Sequence, residues 1–295
     1  MAAEDLSLDG HPDEESVPAE EAEPRRRTDW WGEVRGVFWL VLAVLGFHSL
    51  IAKPFYIPSE SMLPGLEVGD RLVVTKYPYG YSFVTPTFHV LPFLHGRLFG
   101  RMPERGDVVI ITPPGKDTDY IKRVIALPGD IVAVREGVVY LNGVAVPRQF
   151  MGDRLIPVDA NTRCEPAQYP GALVEVDGKP FCKLPIWRET LPNGRSYDTI
   201  DLGPGRSTGD EYSPIRVPRD RVFVMGDNRD RSADSRYPAE LDGLGGPVPW
   251  ENIGGRAEFI TFSLDGTATW NPLTWFHSFR SGRAGQSLHA ETDGK

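Results

Sequence analysis

The sequence has 295 residues, with 32 Lys and Arg against 41 Asp and Glu, a formal net charge of -9. Nine of the acids (Glu4, Asp5, Asp9, Asp13, Glu14, Glu15, Glu20, Glu21 and Glu23) fall in residues 1–24, which hold no Lys or Arg; the rest is balanced at 32 acids and 32 bases, which argues against nucleic acid as a partner because phosphate binding needs surplus cations. The 31 Gly and 27 Pro suit short strands joined by many turns and speak against a helical bundle, and six scattered His with two Cys offer no metal-ligand spacing.

Residues 1–30 are acidic, contain Pro and are poor in large apolar side chains, the composition of a disordered tail. The run from Gly36 to Ala52 (GVFWLVLAVLGFHSLIA) is interrupted only by His48 and Ser49 and rises roughly 25 Å as a helix. Extended back to Trp31 it reaches a bilayer span, so residues 31–53 read as a transmembrane anchor. A cleaved leader fits less well, since 35 residues precede the run and Ala52-Lys53-Pro54 is a poor cleavage site. A buried globular helix also fits less well, because the run is apolar on every face. Arg25, Arg26, Arg27 and Arg35 precede it and only Lys53 follows closely, which puts the N-terminus in the cytoplasm and everything after Lys53 outside.

Beyond the anchor the pattern changes to strands. Residues 71–75, 107–111, 120–126, 131–134, 138–141 and 222–225 are short and β-branched, bounded by turn signals such as Gly69-Asp70, Gly106-Asp107, Pro128-Gly129-Asp130 and Asn142-Gly143. The expected fold is mainly β: an antiparallel catalytic core over residues 54–275, with a more polar, β-rich insertion at about 147–218 and a C-terminal tail at 276–295. Cys164 and Cys182 lie in the insertion; outside the cytoplasm they can form a disulfide worth about 3 kcal/mol by loop-closure entropy, with two unpaired buried thiols as the alternative. Tyr77, Tyr79, Tyr81 and Phe83 alternate and are followed by Phe88, Phe93 and Phe99. They form either an apolar β-surface at a membrane interface or one face of a core strand; Trp270, Trp275 and Phe276 are candidates for a second interfacial contact.

Nothing in the chain suggests a Ser–His–Asp triad. His48 is inside the anchor, His89 and His95 sit among aromatics, and His11, His277 and His289 are near the ends. A hydrolase built on this chain needs another base. Lys122 lies in the strand-like run Asp119-Tyr120-Ile121-Lys122-Arg123-Val124-Ile125, where alternation puts Tyr120, Lys122 and Val124 on one face. Desolvation there favours the neutral amine, which can act as a general base; taken alone, a snorkelling lysine is the commoner outcome. Two hydroxyls, Ser59 and Ser61, sit between Pro58 and Pro64, and a charged loop (GDNRDRSADSR, 226–236) follows the strand at 222–225.

Five blocks in order, IPSESMLP (57–64), LEVGDRLVVTKYPYG (66–80), RGDVVI (105–110), DYIKRVIALPGD (119–130) and GDNRDRSADSR (226–236), follow the apolar run. The chain thereby resembles the bacterial type I signal peptidase (leader peptidase) family of membrane-anchored Ser–Lys proteases. The resemblance implies that Ser61 is the nucleophile, Lys122 the general base and Ser59 a side-chain oxyanion donor beside the Ser61 N–H. It further implies that Ser232 hydrogen-bonds the Lys122 ammonium, that Asp234 and Arg236 pair to hold their loop, and that Tyr120 shields the lysine. Glu60, Gly65 and Ala126 depart from the commonest forms of the blocks, and Glu60 adds a carboxylate beside the site.

Only about eight residues separate Lys53 from Ser61, at most roughly 28 Å of extended chain, so the nucleophile is expected near the outer surface of the bacterial plasma (inner) membrane. The partners implied are signal-peptide-bearing pre-proteins and membrane lipid, with no nucleic acid, metal or cofactor. Family resemblance implies cleavage after small residues (Ala-x-Ala); Ile57 and Ile121 flank the dyad as expected pocket walls, and extended substrate is expected to add as a strand. A soluble self-cleaving Ser–Lys repressor is disfavoured by the anchor and by the lack of a basic domain. Intact Ser61 and Lys122 count against a non-enzymatic tethered module.

Overall fold

The computed structural model describes residues 29–86 and 96–292. The acidic tail through residue 28, together with Phe88 and Phe93, lies outside the described residues. The chain divides into two compact units, residues 1–41 and 42–295. Helix α1 (Trp30–Leu50) has 21 residues, none of them buried, and a mean hydropathy of 1.4 in its most apolar stretch. At about 1.5 Å per residue it is long enough to cross a bilayer core.

The second unit is built of strands. First come β1 (Ala52–Tyr56), β2 (Asp70–Thr75), β3 (Val108–Ile111), β4 (Tyr120–Ala126), β5 (Ile131–Arg135), β6 (Val138–Leu141) and β7 (Val144–Ala145). β8 (Arg148–Pro157), β9 (Leu173–Val176), β10 (Lys179–Thr190), β11 (Arg195–Ile200) and β12 (Tyr212–Arg216) follow. β13 (Arg221–Met225), β14 (Val248–Pro249), β15 (Ile253–Ser263), the short helix α2 (Pro272–Ser278) and β16 (Glu291–Thr292) complete the chain. The main sheet has the order β1-β2-β15-β3-β4-β13-β14, and every neighbouring pair in it is antiparallel. A second sheet, β16-β11-β10-β8 with β9 on β10, holds most of the expected insertion, while β12-β5-β6-β7 forms a third. Of the stretch 147–218, then, residues 212–216 belong with β5 and not with the insertion sheet.

Local chemistry explains the strand positions. β3 is Val-Val-Ile-Ile with all four residues buried, as suits a strand inside a sheet packed on both faces, whereas β2 alternates buried and half-buried residues. β1 carries Pro54, which lacks a backbone N–H; it sits at the sheet edge, where one missing ladder bond is tolerated. β15 crosses the middle of the sheet through Gly254 and Gly255, and a Cβ on Gly255 would come within 2.4 Å of the Thr75 carbonyl oxygen. Close backbone approach, not flexibility, is what requires glycine there.

Two corrections to the sequence reading emerge, and one alternative it left open is closed. Tyr77–Tyr79 is a single 3₁₀ turn, so the aromatic alternation is neither a core strand nor a continuous β-surface: Tyr79 is buried and donates to Asp107 Oδ2 at 2.7 Å, while Tyr77 and Phe99 are exposed. Residues 276–292 are not a free tail. Leu288 joins the core, β16 pairs with β11, and Arg280 and Arg283 bond Asp159 and Glu67 at 2.6 and 2.9 Å. Cys164 and Cys182 form a disulfide inside a buried cluster with Tyr169 and Leu184, so the unpaired-thiol alternative does not hold.

Candidate active site

Strand β1 delivers the chain into Ile57, whose N–H and C=O are engaged by Asp70 and Gly69, and then into a one-turn 3₁₀ helix, Glu60–Met62, with Ser59 as its extended N-cap. Met62 and Leu66 sink into a core shared with Leu72, Val108 and Ile260, while Leu63 enters the cluster around the disulfide. Apolar residues on both sides of the turn thus pin Ser61 from beneath. The Ser61 N–H lies in the first turn of a 3₁₀ helix, where it has no carbonyl partner within the turn.

Lys122 projects from β4, which lies between β3 and β13, opposite Val109 of β3. Its Nζ donates to Ser61 Oγ at 3.0 Å and to the Ile121 carbonyl at 2.9 Å. Ser59 Oγ lies 3.3 Å from Ser61 Oγ. Both Ser61 and Lys122 are buried, at 7% and 4% exposure. Burial draws the Lys122 pKa down to about 8; the Asp234 and Asp227 carboxylates oppose this by favouring the charge, and Arg236 assists it. Tyr120, one alternation away on the same strand face, has its ring centroid 5.6 Å from the Lys122 Nζ and its hydroxyl tied to the Asp242 carbonyl at 3.1 Å.

The loop after β13 forms the floor of the site. Asp234 and Arg236 make a two-pronged pair, Nε to Oδ1 and Nη2 to Oδ2, both at 2.9 Å, and Asp234 also accepts the Gly226 N–H at 3.0 Å. Ser232 is buried, but its Oγ has no hydrogen-bond partner among the described residues, so the bond expected from it to Lys122 is not made. Gly226 separates the two regions: a Cβ there would meet Ser232 Oγ at 2.2 Å and the Ser61 carbonyl oxygen at 2.4 Å. Ile57 and Ile121 lie close to the dyad in sequence, and both are packed into the core, with 1% and 7% exposure.

Sequence reading missed several members of this constellation. Arg123 grips Asp227 with two bonds of 2.8 and 2.7 Å, and Arg229 bonds Glu189 of β10 at 2.6 Å, all four side chains buried. Asn228 donates its N–H to the Ser61 carbonyl at 3.1 Å, and its Nδ2 to the Glu60 carbonyl at 3.1 Å and to the Tyr169 hydroxyl at 2.9 Å. Glu60, the extra carboxylate, turns to accept the Tyr169 hydroxyl at 2.8 Å; burial raises its pKa, against which the Tyr169 bond acts. Asp227 and Asn228 were visible as members of a charged block, but Tyr169 carried no signal at all. No cluster of metal-ligating side chains occurs among the described residues.

A buried amine thus stands within hydrogen-bond reach of a buried alcohol, with a second hydroxyl alongside, and an amine so placed is chemically able to take a proton from the alcohol. Comparison with known proteins assigns the family. Residues 30–262 match the family described as signal peptidase, peptidase S26. A signal peptidase I from Rickettsia typhi is 36% identical over 245 residues, 81% of this chain and 80% of that one; one from Rickettsia bellii is 35% identical over 255 residues, 83% and 75% of the two chains. A crystal structure of a signal peptidase I from Enterococcus faecalis V583 aligns at 22% identity over 53% of this chain and 97% of that one, with a TM-score of 0.27. The chain belongs to the signal peptidase family, peptidase S26, and is a serine peptidase.

Proposed function

We propose that this chain is a membrane-anchored endopeptidase that cuts signal peptides from exported pre-proteins after small residues, with Ser61 as nucleophile and Lys122 as general base. The observation that carries the reading is the 3.0 Å contact between Lys122 Nζ and Ser61 Oγ, with the amine buried and its pKa drawn to about 8. A serine alcohol needs its proton removed as it attacks, and only a neutral amine can take it. Attack on the scissile carbonyl forms the tetrahedral oxyanion, for which the Ser59 hydroxyl and the Ser61 N–H are the donors. Lys122, now protonated, gives its proton to the leaving amine as the C–N bond breaks. It then takes a proton from water as that water attacks the acyl-enzyme, and returns it to Ser61 Oγ.

Each neighbour has a part in this scheme. Tyr120 covers the lysine and limits its hydration, while the Asp234–Arg236 pair fixes the loop behind it and keeps the Asp234 charge matched. The charge pattern around α1 supports a cytoplasmic N-terminus and an extracytoplasmic catalytic unit in the bacterial plasma membrane. Trp270 and Phe276, 100% and 78% exposed, are the groups proposed to touch lipid. Extended substrate is proposed to add as a strand beside the Ser61 and Lys122 segments through backbone hydrogen bonds. Ile57 and Ile121 are proposed to back the shallow pockets for small side chains.

The test is cleavage of a pre-protein bearing an Ala-x-Ala site by the detergent-solubilised full chain. Wild type should cut at that site, Ser61→Ala and Lys122→Ala should not, and all three should melt cooperatively. Equal cleavage by Ser61→Ala refutes the assignment.

A further inference from the structure

The turn that carries Ser61 is held from the insertion as well as from the core beneath it. Tyr169, on the loop between β8 and β9, is 2% exposed and packs in one cluster with the Cys164–Cys182 disulfide and with Leu63, which ends the Ser61 turn. Its hydroxyl donates to Glu60 Oε2 at 2.8 Å and accepts from Asn228 Nδ2 at 2.9 Å. Asn228 in turn holds both carbonyls of the turn, Glu60 through its side chain and Ser61 through its N–H. The end of β11 braces the same loop, since the Ile200 N–H donates to the Asp227 carbonyl and the Arg229 N–H to the Ile200 carbonyl, at 2.9 and 2.8 Å. One phenol therefore joins a disulfide-bonded insertion to Glu60, which precedes Ser61, and to Asn228, which holds the Ser61 carbonyl. Nothing in the chemistry of peptide hydrolysis requires such a link; what it supplies is orientation.

We infer that Tyr169 is a positioning residue for hydrolysis at Ser61, acting through Glu60 and Asn228, so that the insertion sets the aim of the nucleophile. The inference rests on the reading of Ser61 as nucleophile. Orientation of a reacting group is worth a great deal: displacement by about 1 Å can cost on the order of a hundredfold in rate. Tyr169→Phe keeps the packed ring and removes only the hydroxyl. Glu60→Gln keeps an acceptor for that hydroxyl, and Glu60→Ala does not.

The experiment measures kcat and KM for pre-protein cleavage, with melting temperature, for the full chain and the variants Ser61→Ala, Tyr169→Phe, Glu60→Gln, Glu60→Ala and Tyr169→Phe/Glu60→Ala. Expected are a fall in kcat of about tenfold for Tyr169→Phe and for Glu60→Ala with KM within about twofold, activity near wild type for Glu60→Gln, and a double variant no slower than either single one. Unchanged kcat in Tyr169→Phe, additive losses in the double variant, or losses that track melting temperature alone overturn the inference. Should Tyr169→Phe fail to fold, the contrast between Glu60→Gln and Glu60→Ala decides by itself: equal activities overturn the inference. Activity in Ser61→Ala would instead overturn the nucleophile assignment, which keeps the two failures distinct.

Discussion

Cleavage should follow the charge of a single buried amine. Lys122 sits at a pKa of about 8 against 10.5 for a free lysine, so at pH 7 roughly one molecule in ten carries the neutral, competent form and at pH 9 roughly nine in ten do. With Lys122 as base, kcat/KM should rise about tenfold between those pH values along an acid limb of unit slope. The assay is initial-rate cleavage of a pre-protein in detergent from pH 6 to 10. A profile flat from pH 7 to 9, or one whose midpoint stays at 10.5, would refute the reasoning. The same shift bears on stability. The unfolded chain holds the proton up to about pH 10.5 and the folded chain releases it near 8, so the folded state binds fewer protons in that window and stability rises with pH through it. Below pH 8 the buried charge costs about 3 kcal/mol relative to its neutral form. Lys122→Met, which removes the charge at similar length, should therefore melt above wild type at pH 7, and the difference should shrink as pH climbs from 8 toward 10.5. A difference independent of pH would contradict the assigned burial.

Removal of the Ser59 hydroxyl by Ser59→Ala should lower kcat far more than it raises KM, by about 2.7–4 kcal/mol of transition-state stabilisation if it is an oxyanion donor; a pure rise in KM would exclude that role. Asp227→Asn leaves the buried Arg123 guanidinium without its paired charge and should destabilise by about 3–5 kcal/mol, read from denaturant unfolding of the detergent-solubilised chain. Mild reduction of the Cys164–Cys182 disulfide frees a loop with an 18-residue separation and should lower stability by about 3 kcal/mol; an unchanged melting temperature after verified reduction would count against that figure.

Some of the architecture was readable from local pattern alone. The strands β2 to β6 and β13 announce themselves by β-branched runs between turn residues, because alternation and turn chemistry act over a few neighbours. β1 was hidden by Pro54, and β15 by Gly254-Gly255 and by the charges of Arg256 and Glu258. Those features penalise a strand in isolation and are tolerated only because an edge position and a close backbone crossing give them a place. Ser232 shows the opposite failure: the block containing it was conspicuous, yet its hydroxyl takes no partner among the described residues, while the neighbouring Asp227 and Asn228 bond Arg123 and the Ser61 turn.

The apolar length of α1, the β character of the body and the candidate pair Ser61 and Lys122 were written in the order of the residues, since hydropathy, alternation and short blocks are properties of near neighbours. That a hydroxyl and an amine 61 positions apart stand 3.0 Å from each other was decided by the antiparallel packing of the main sheet around them. That Tyr169 reaches Glu60 across 109 positions was decided the same way. Depression of the Lys122 pKa also belongs to the tertiary level: the cost of a charge depends on how much water the whole fold removes from around it, which no stretch of sequence contains.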